Sequence, residues 1–173
     1  IAAAVPFVLT VMVGKKKPAS ADKTELKAFL TGKVITLKEV NDGVFSEGIL
    51  GDGIAIIPED DILYAPADGT VCALIQDSRH ACGLSMDNGM ELVLHIGIDT
   101  VDMKGDGFEY LVSEGQKVSA GTPLIRFDRA KIKAAGHPDT TMCIITQPGS
   151  GENIQFFTGM DAKAKATVVA AFK

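Results

Sequence analysis

Residues 78–99 read SRHACGLSMDNGMELVLHIGID, and they set two of the chain's three histidines on either side of an Asn-Gly pair. A strand has a side-chain period of two, so Leu92, Leu94, Ile96 and Ile98 fall on one face, with Glu91, Val93, His95, Gly97 and Asp99 on the other. His95 therefore points away from the aliphatic layer. Asn88-Gly89 is the preferred central pair of a two-residue type I′ hairpin loop, which pairs Asp87 with Met90. Counting back sets Cys82 opposite His95 and His80 opposite Gly97. The two imidazoles then become diagonal neighbours on one face, about 7–8 Å apart. A loop at Asp87-Asn88 brings them directly opposite, and only an odd change in loop length separates them.

Outward from this hairpin the pattern repeats. KVITL, GIAII, GTVCALI, ACGLSM, ELVLHIGI, YLV, PLIRF and TMCIIT are short β-branched or alternating runs broken by Gly, Pro, Asn and Asp. Such spacing predicts an all-β sandwich or barrel with little helix. The helix candidates are DRAKIKAAG, the terminal DAKAKATVVAAF, and a short stretch within residues 22–30. APADGTV and EGQKVSAGTPLIRFD read as two halves of one hairpin-based unit, a sign of internal duplication.

The 173 residues suffice for one domain with a proper core. With no Trp and 6% aromatics, that core must be built from Val, Ile, Leu and Ala. A net charge of −5 argues against nucleic acid, whose phosphate backbone requires a basic face, and favours protein or small-molecule partners. Cys72, Cys82 and Cys143 show no metal-type spacing and read as free, buried thiols. The opening IAAAVPFVLTVMVGKKK begins with Ile, and its apolar part is too short to span about 30 Å of hydrocarbon. It reads as the end of a longer membrane helix with a basic cytoplasmic flank over residues 1–17. Residues 18–31 read as a linker and 32–173 as the β domain.

Two imidazoles converging beside an Asp and a Gly fit three chemistries. One is covalent phosphoryl transfer, in which a neutral ring nitrogen attacks phosphorus while the second ring holds the phosphoryl oxygens. Another is a zinc site using His95 and Asp99 with a distant His. The third is acid–base hydrolysis, for which the sequence offers no nucleophile. His137, in AAGHPDT, reads as a solvated loop residue.

The stretch MELVLHIGIDTVDMKGDGFEYLVSEGQKVSAGTPLIRFD strongly resembles the enzyme IIA domain of the glucose/β-glucoside class of the bacterial sugar phosphotransferase system. GDGIAIIP, APADGTV and a His fifteen residues before the HIGIDTV segment match it too, so the resemblance runs over about residues 33–146. It implies an antiparallel β-sandwich of the barrel-sandwich hybrid type, with a duplicated hairpin motif. It also implies a phosphotransferase component in which His95 takes a phosphoryl group on Nε2 from the phosphohistidine of HPr and passes it to a cysteine of the IIB domain during sugar uptake and phosphorylation. By the same resemblance His80 supports the phosphate, with Ser78, Gly97 and Asp99 around the site, and Phe45, Ile49, Val93 and Val101 form the docking face. No cofactor or resident metal is implied, although in some members the two histidines bind zinc at a partner interface. In several members the domain follows a IIC membrane domain in one polypeptide. That would tether it at the inner face of the membrane and explain the apolar opening.

Departures from the family pattern are small. Ser78 stands where Thr is usual and keeps the hydroxyl, Gln76 occupies a commonly apolar position, and Gly83 one that is often larger. Readings from other classes fit less well. A zinc metallopeptidase of related fold would share the His95-to-Asp99 spacing but requires a His-x-His segment that is missing. A lipoyl or biotinyl carrier needs a Lys in a tight turn that Lys104 matches poorly. A purely regulatory binding domain stays open, since the resemblance extends to members that dock on other proteins, and the histidine pair is what separates a carrier from a binder.

Overall fold

The computed structural model describes residues 25–173. Strands β1 (Glu25–Lys27), β2 (Gly32–Thr36), β3 (Asp52–Pro58), β4 (Ile62–Tyr64), β5 (Gly69–Leu74), β6 (Ala81–Ser85) and β7 (Glu91–Ile96) form the first half. The second half holds β8 (Phe108–Tyr110), β9 (Lys117–Val118), β10 (Pro123–Phe127), β11 (Thr141–Gln147), β12 (Gln155–Phe156), β13 (Met160–Ala162) and β14 (Val168–Ala171). They make an eight-stranded sheet, ordered β13-β2-β3-β11-β7-β6-β5-β9, and two three-stranded sheets, β4-β10-β8 and β1-β14-β12. Every strand pairing is antiparallel and no sheet closes into a barrel. Among the described residues, helix is confined to α1 (Arg129–Ala134) and two 3₁₀ turns, Leu37–Val40 and Thr100–Met103. Among the described residues no helix is long and apolar enough to cross a membrane.

The large sheet buries apolar side chains on both faces. One face contributes Leu92, Leu94, Ile96, Cys143 and Ile145 to the main core beneath the smaller sheets. The other face carries a second cluster of Ile35, Leu37, Phe45, Ala55, Met142 and Ile144, against which Val93 and Ile98 pack. Two-sided burial explains why TMCIIT in β11 is apolar without alternation. Ile98 departs from its expected face because Gly97 takes a positive φ of 77°, which ends the strand alternation.

The two hairpin-like segments lie side by side. Ala65 donates to Thr122 C=O and accepts from Gly121 N–H, while Val71 donates to Gln116 C=O and accepts from Gly115 N–H. β4 pairs with β10 and β5 with β9, an exchange suited to a duplicated unit.

Three sequence expectations require correction. α1 forms as expected, with Asp128 accepting from Lys131 N–H at its start, but the terminal DAKAKATVVAAF is not helical. Its Ala-rich propensity yields to pairing: β14 lies between β1 and β12 and buries Val169 and Ala170. Residues 18–31 are not a linker from Glu25 onward, nor is there a helix there. β1 is a strand, and Leu26, Ala28, Phe29 and Leu30 are buried in the main core. A strand of three residues is too short to display an alternation in the sequence. Residues 1–17, read as a membrane-helix end, lie outside the described residues, as does the first part of the supposed linker. Finally, Cys82 and Cys143 are buried but Cys72 is exposed.

The corrected boundary carries a stability consequence. Phe29 is completely buried, so Phe29→Ala should cost about 3–5 kcal/mol in denaturant unfolding. A loss below about 1 kcal/mol would restore the linker reading.

Candidate functional site

His95 lies near the end of β7, on the face that carries the second apolar cluster. Its cross-strand neighbours are Ala81 on β6 and Met142 on β11. The Phe45 ring packs 4.8 Å from the imidazole, centroid to centroid, at an interplanar angle of 55°. Phe45 is held there by the preceding loop, where the Asp42 carboxylate accepts from the N–H groups of Val44, Phe45 and Ser46. The imidazole thus lies against the second apolar cluster through its contact with Phe45.

The register differs by one from the expected hairpin. The loop has three residues, Asp87–Gly89, closed by Met86 N–H donating to Met90 C=O at 2.8 Å, with Gly89 at φ 85°. Ala81, not Cys82, therefore faces His95, and His80 lies across from Ile96, whose N–H donates to His80 C=O at 2.8 Å. In a regular strand this odd shift would send His80 to the opposite face. It does not, because β6 begins only at Ala81 and Arg79 adopts a left-handed φ of 52°. The turn brings the His80 ring 4.6 Å from that of His95, edge to face at 83°.

A hydrogen bond defines the proton position on His95. His95 Nδ1 lies 3.0 Å from Gly97 C=O. A carbonyl only accepts, so Nδ1 carries the proton and the neutral ring has its lone pair on Nε2. Gly97 can turn its carbonyl back because of its positive φ; a Cβ there would lie 2.4 Å from Thr100 Cγ2 and 2.9 Å from Pro138 C=O. The strand end is pinned further by Thr100, whose hydroxyl donates to Ile96 C=O, and by Gly97 N–H donating to Thr140 C=O. His80 Nδ1 lies 2.8 Å from Ser78 Oγ, both residues being buried.

Burial pushes the His95 imidazole down to about 4, and neighbouring His80 pushes the same way against the opposing Gly97 hydrogen bond and Asp42 charge. Burial also lowers His80. Both rings are neutral near pH 7. Since the unfolded imidazole titrates near 6.5, the unfolded chain takes up a proton between pH 6.5 and 4 that folded His95 refuses. Stability should therefore fall as pH drops through that window, with a full extent of about 3 kcal/mol from this group. His95→Gln should show a shallower decline in denaturant midpoint between pH 6.5 and 4.5 than the parent. Equal slopes would contradict a depressed His95.

A shallow depression opens beside His95, lined by Asp42, Val44, Phe45, Ile98, Asp99 and Val101. Of the residues singled out in the sequence, His95, His80, Ser78 and Gly97 are joined by direct contacts, and Asp99 lies in the lining. Phe45 and Val101 line it too, whereas Val93 packs in the second cluster and Ile49, though exposed, is not among the lining residues. Asp42 and Val44 reach the strand end only through the folded loop, and Ile98, which the strand period places on the aliphatic face, joins the lining because the positive φ of Gly97 ends the alternation. Gly83 has a packing reason: a Cβ there would lie 3.1 Å from both Ala73 Cβ and Cys72 Sγ. His137 is half-buried, with its N–H donating to Ile132 C=O after α1. A larger groove lined by Asp60, Phe108, Arg126, Asp128 and Lys131 contains no histidine or cysteine. No group of three or more His, Cys, Asp or Glu side chains among the described residues is arranged to hold a metal ion.

An antiparallel β structure presenting this histidine pair has the form of a sugar phosphotransferase system IIA component. The family model for the phosphoenolpyruvate-dependent sugar phosphotransferase system, EIIA 1, matches residues 24–150, and the chain belongs to that family. The solved structure of glucose permease IIA from Mycoplasma capricolum is similar at 35% identity and a TM-score of 0.77, the match covering 86% of this chain and 95% of that one.

Proposed function

We propose that the protein is a phosphohistidine carrier, with His95 as the carrying residue. The observation that supports this best is the Nδ1 hydrogen bond to Gly97, which leaves Nε2 as the free nucleophile beside a second neutral imidazole. The Nε2 lone pair attacks the phosphorus of phosphohistidine on HPr, the donor P–N bond breaks, and the donor imidazole leaves with the electron pair. The phosphorylated ring keeps its Nδ1 proton and becomes cationic, a charge eased by the Gly97 carbonyl and the Asp42 carboxylate. A cysteine thiolate of the IIB domain then attacks phosphorus and returns His95 to its neutral form. Transfer between two phosphohistidines is nearly balanced in energy, so positioning supplies most of the acceleration.

His80 supports the phosphoryl group. If Ser78 donates to Nδ1, the His80 proton resides on Nε2, where it serves as a donor to phosphoryl oxygens. The apolar rim of Val44, Phe45, Ile98 and Val101, with carboxylates Asp42 and Asp99, receives the two partners in turn. Cytoplasmic placement follows from those partners, with a tether to a IIC domain at the inner membrane face. Incubation with phosphoenolpyruvate, enzyme I and HPr should add one acid-labile phosphate by intact mass. An unchanged mass under conditions that phosphorylate HPr would refute the reading.

A further inference from the structure

β8 belongs to a small sheet, yet the Tyr110 hydroxyl at its end reaches the loop that delivers His80. The phenol oxygen accepts from Ile75 N–H at 2.8 Å and donates to Ala81 C=O at 2.5 Å. Ile75 directly follows β5 and Ala81 opens β6, so one hydroxyl ties both ends of the connecting loop. Ala81 is also the cross-strand partner of His95, and His80 is its neighbour in sequence.

Within that loop the chain is under conformational constraint. Arg79 holds a left-handed φ of 52°, which an L side chain seldom adopts without outside support. Its N–H donates to Ile75 C=O at 2.8 Å, inside the span that Tyr110 closes. Its guanidinium lies over Gly105, where a Cβ would come within 2.7 Å of Nη2. If the loop slackened and Arg79 returned to extended geometry, the register of β6 on β7 would carry the His80 ring to the other face of the sheet.

We propose that Tyr110 is a positioning residue for His80: its hydroxyl holds the Ile75–Ala81 loop in the turn that keeps the two imidazoles edge to face. This rests on the role given to His80 in phosphoryl transfer. Tyr110→Phe keeps the aromatic ring packed on the main core and removes only the hydroxyl. Onward transfer to the IIB cysteine should slow about tenfold, as for a displaced contact group, while acceptance from phospho-HPr changes by less than about threefold. Tyr110→Phe added to His80→Gln should slow onward transfer by no more than about twofold further, because both changes act through one ring. In the unphosphorylated protein, the His80 ring ¹⁵N signals should pass from a single tautomer in the parent to averaged values in Tyr110→Phe. Unchanged onward transfer in the single variant, or fully multiplicative slowing in the double variant, would overturn the assignment. Should the parent carry no phosphate, the carrier reading fails by itself and the ring signals decide alone. Averaged signals in Tyr110→Phe then support the positioning role, and unchanged signals overturn it.

Discussion

Replacing His95 with Ala should leave a folded domain that accepts no phosphate from phospho-HPr. The loss is expected to be total, because a carrier without its nucleophile has no partial route: His80 already uses Nδ1 toward Ser78 and is itself buried. Folding should survive. His95 is only partly buried, and the strand that holds it is anchored by pairing with both β6 and β11. The informative comparison is radiolabel incorporation in a variant whose thermal transition stays cooperative. Label at the parental level in His95→Ala would move the acceptor elsewhere.

His80→Gln should give a different pattern. Glutamine retains a hydrogen-bond donor of similar reach, so His95 should still accept phosphate from HPr. Onward transfer asks more of His80, because phosphoryl oxygens developing charge in a partly apolar site need a donor that is already aimed. Losing one such oriented contact is expected to slow transfer to the IIB cysteine by about 10²–10³-fold. Single-turnover transfer measured in each direction separates the two steps. If His80→Gln abolishes acceptance as fully as His95→Ala does, or leaves onward transfer unchanged, the division of labour between the rings is wrong.

Much of the sandwich could be read from runs such as GIAII and ELVLHIGI, whose β-branched residues and flanking turn signals survive into β3 and β7. Strands of two or three residues could not, since Glu25–Lys27 and Gln155–Phe156 are too short to display a period. Their pairing with β14 also explains why an Ala-rich tail became a strand: a long-range partner outweighed local propensity. At the site, the convergence of the histidines is legible in the sequence, but the fold reaches it by a different register. Asn88-Gly89 suggested a two-residue loop, and the third loop residue shifted the register by one. The left-handed turn at Arg79 then restored what that shift would have undone. No hydrophobic pattern encodes such a turn at an arginine. Likewise, Asp42, Val44 and Ile98 belong to loops whose meeting with β7 is set by tertiary packing, so their place beside His95 emerges only in the folded chain.

The central claim is that the Gly97 carbonyl fixes the proton of His95 on Nδ1 and so leaves Nε2 to carry the phosphate. ¹⁵N-histidine labelling with ³¹P–¹⁵N correlation NMR of the phosphorylated domain tests it directly. The expected spectrum has one phosphorus coupled to Nε2 of His95, with a retained Nδ1 proton whose signal reports the hydrogen bond to Gly97. Phosphorus coupled to Nδ1 of His95, or to either nitrogen of His80, would contradict the account.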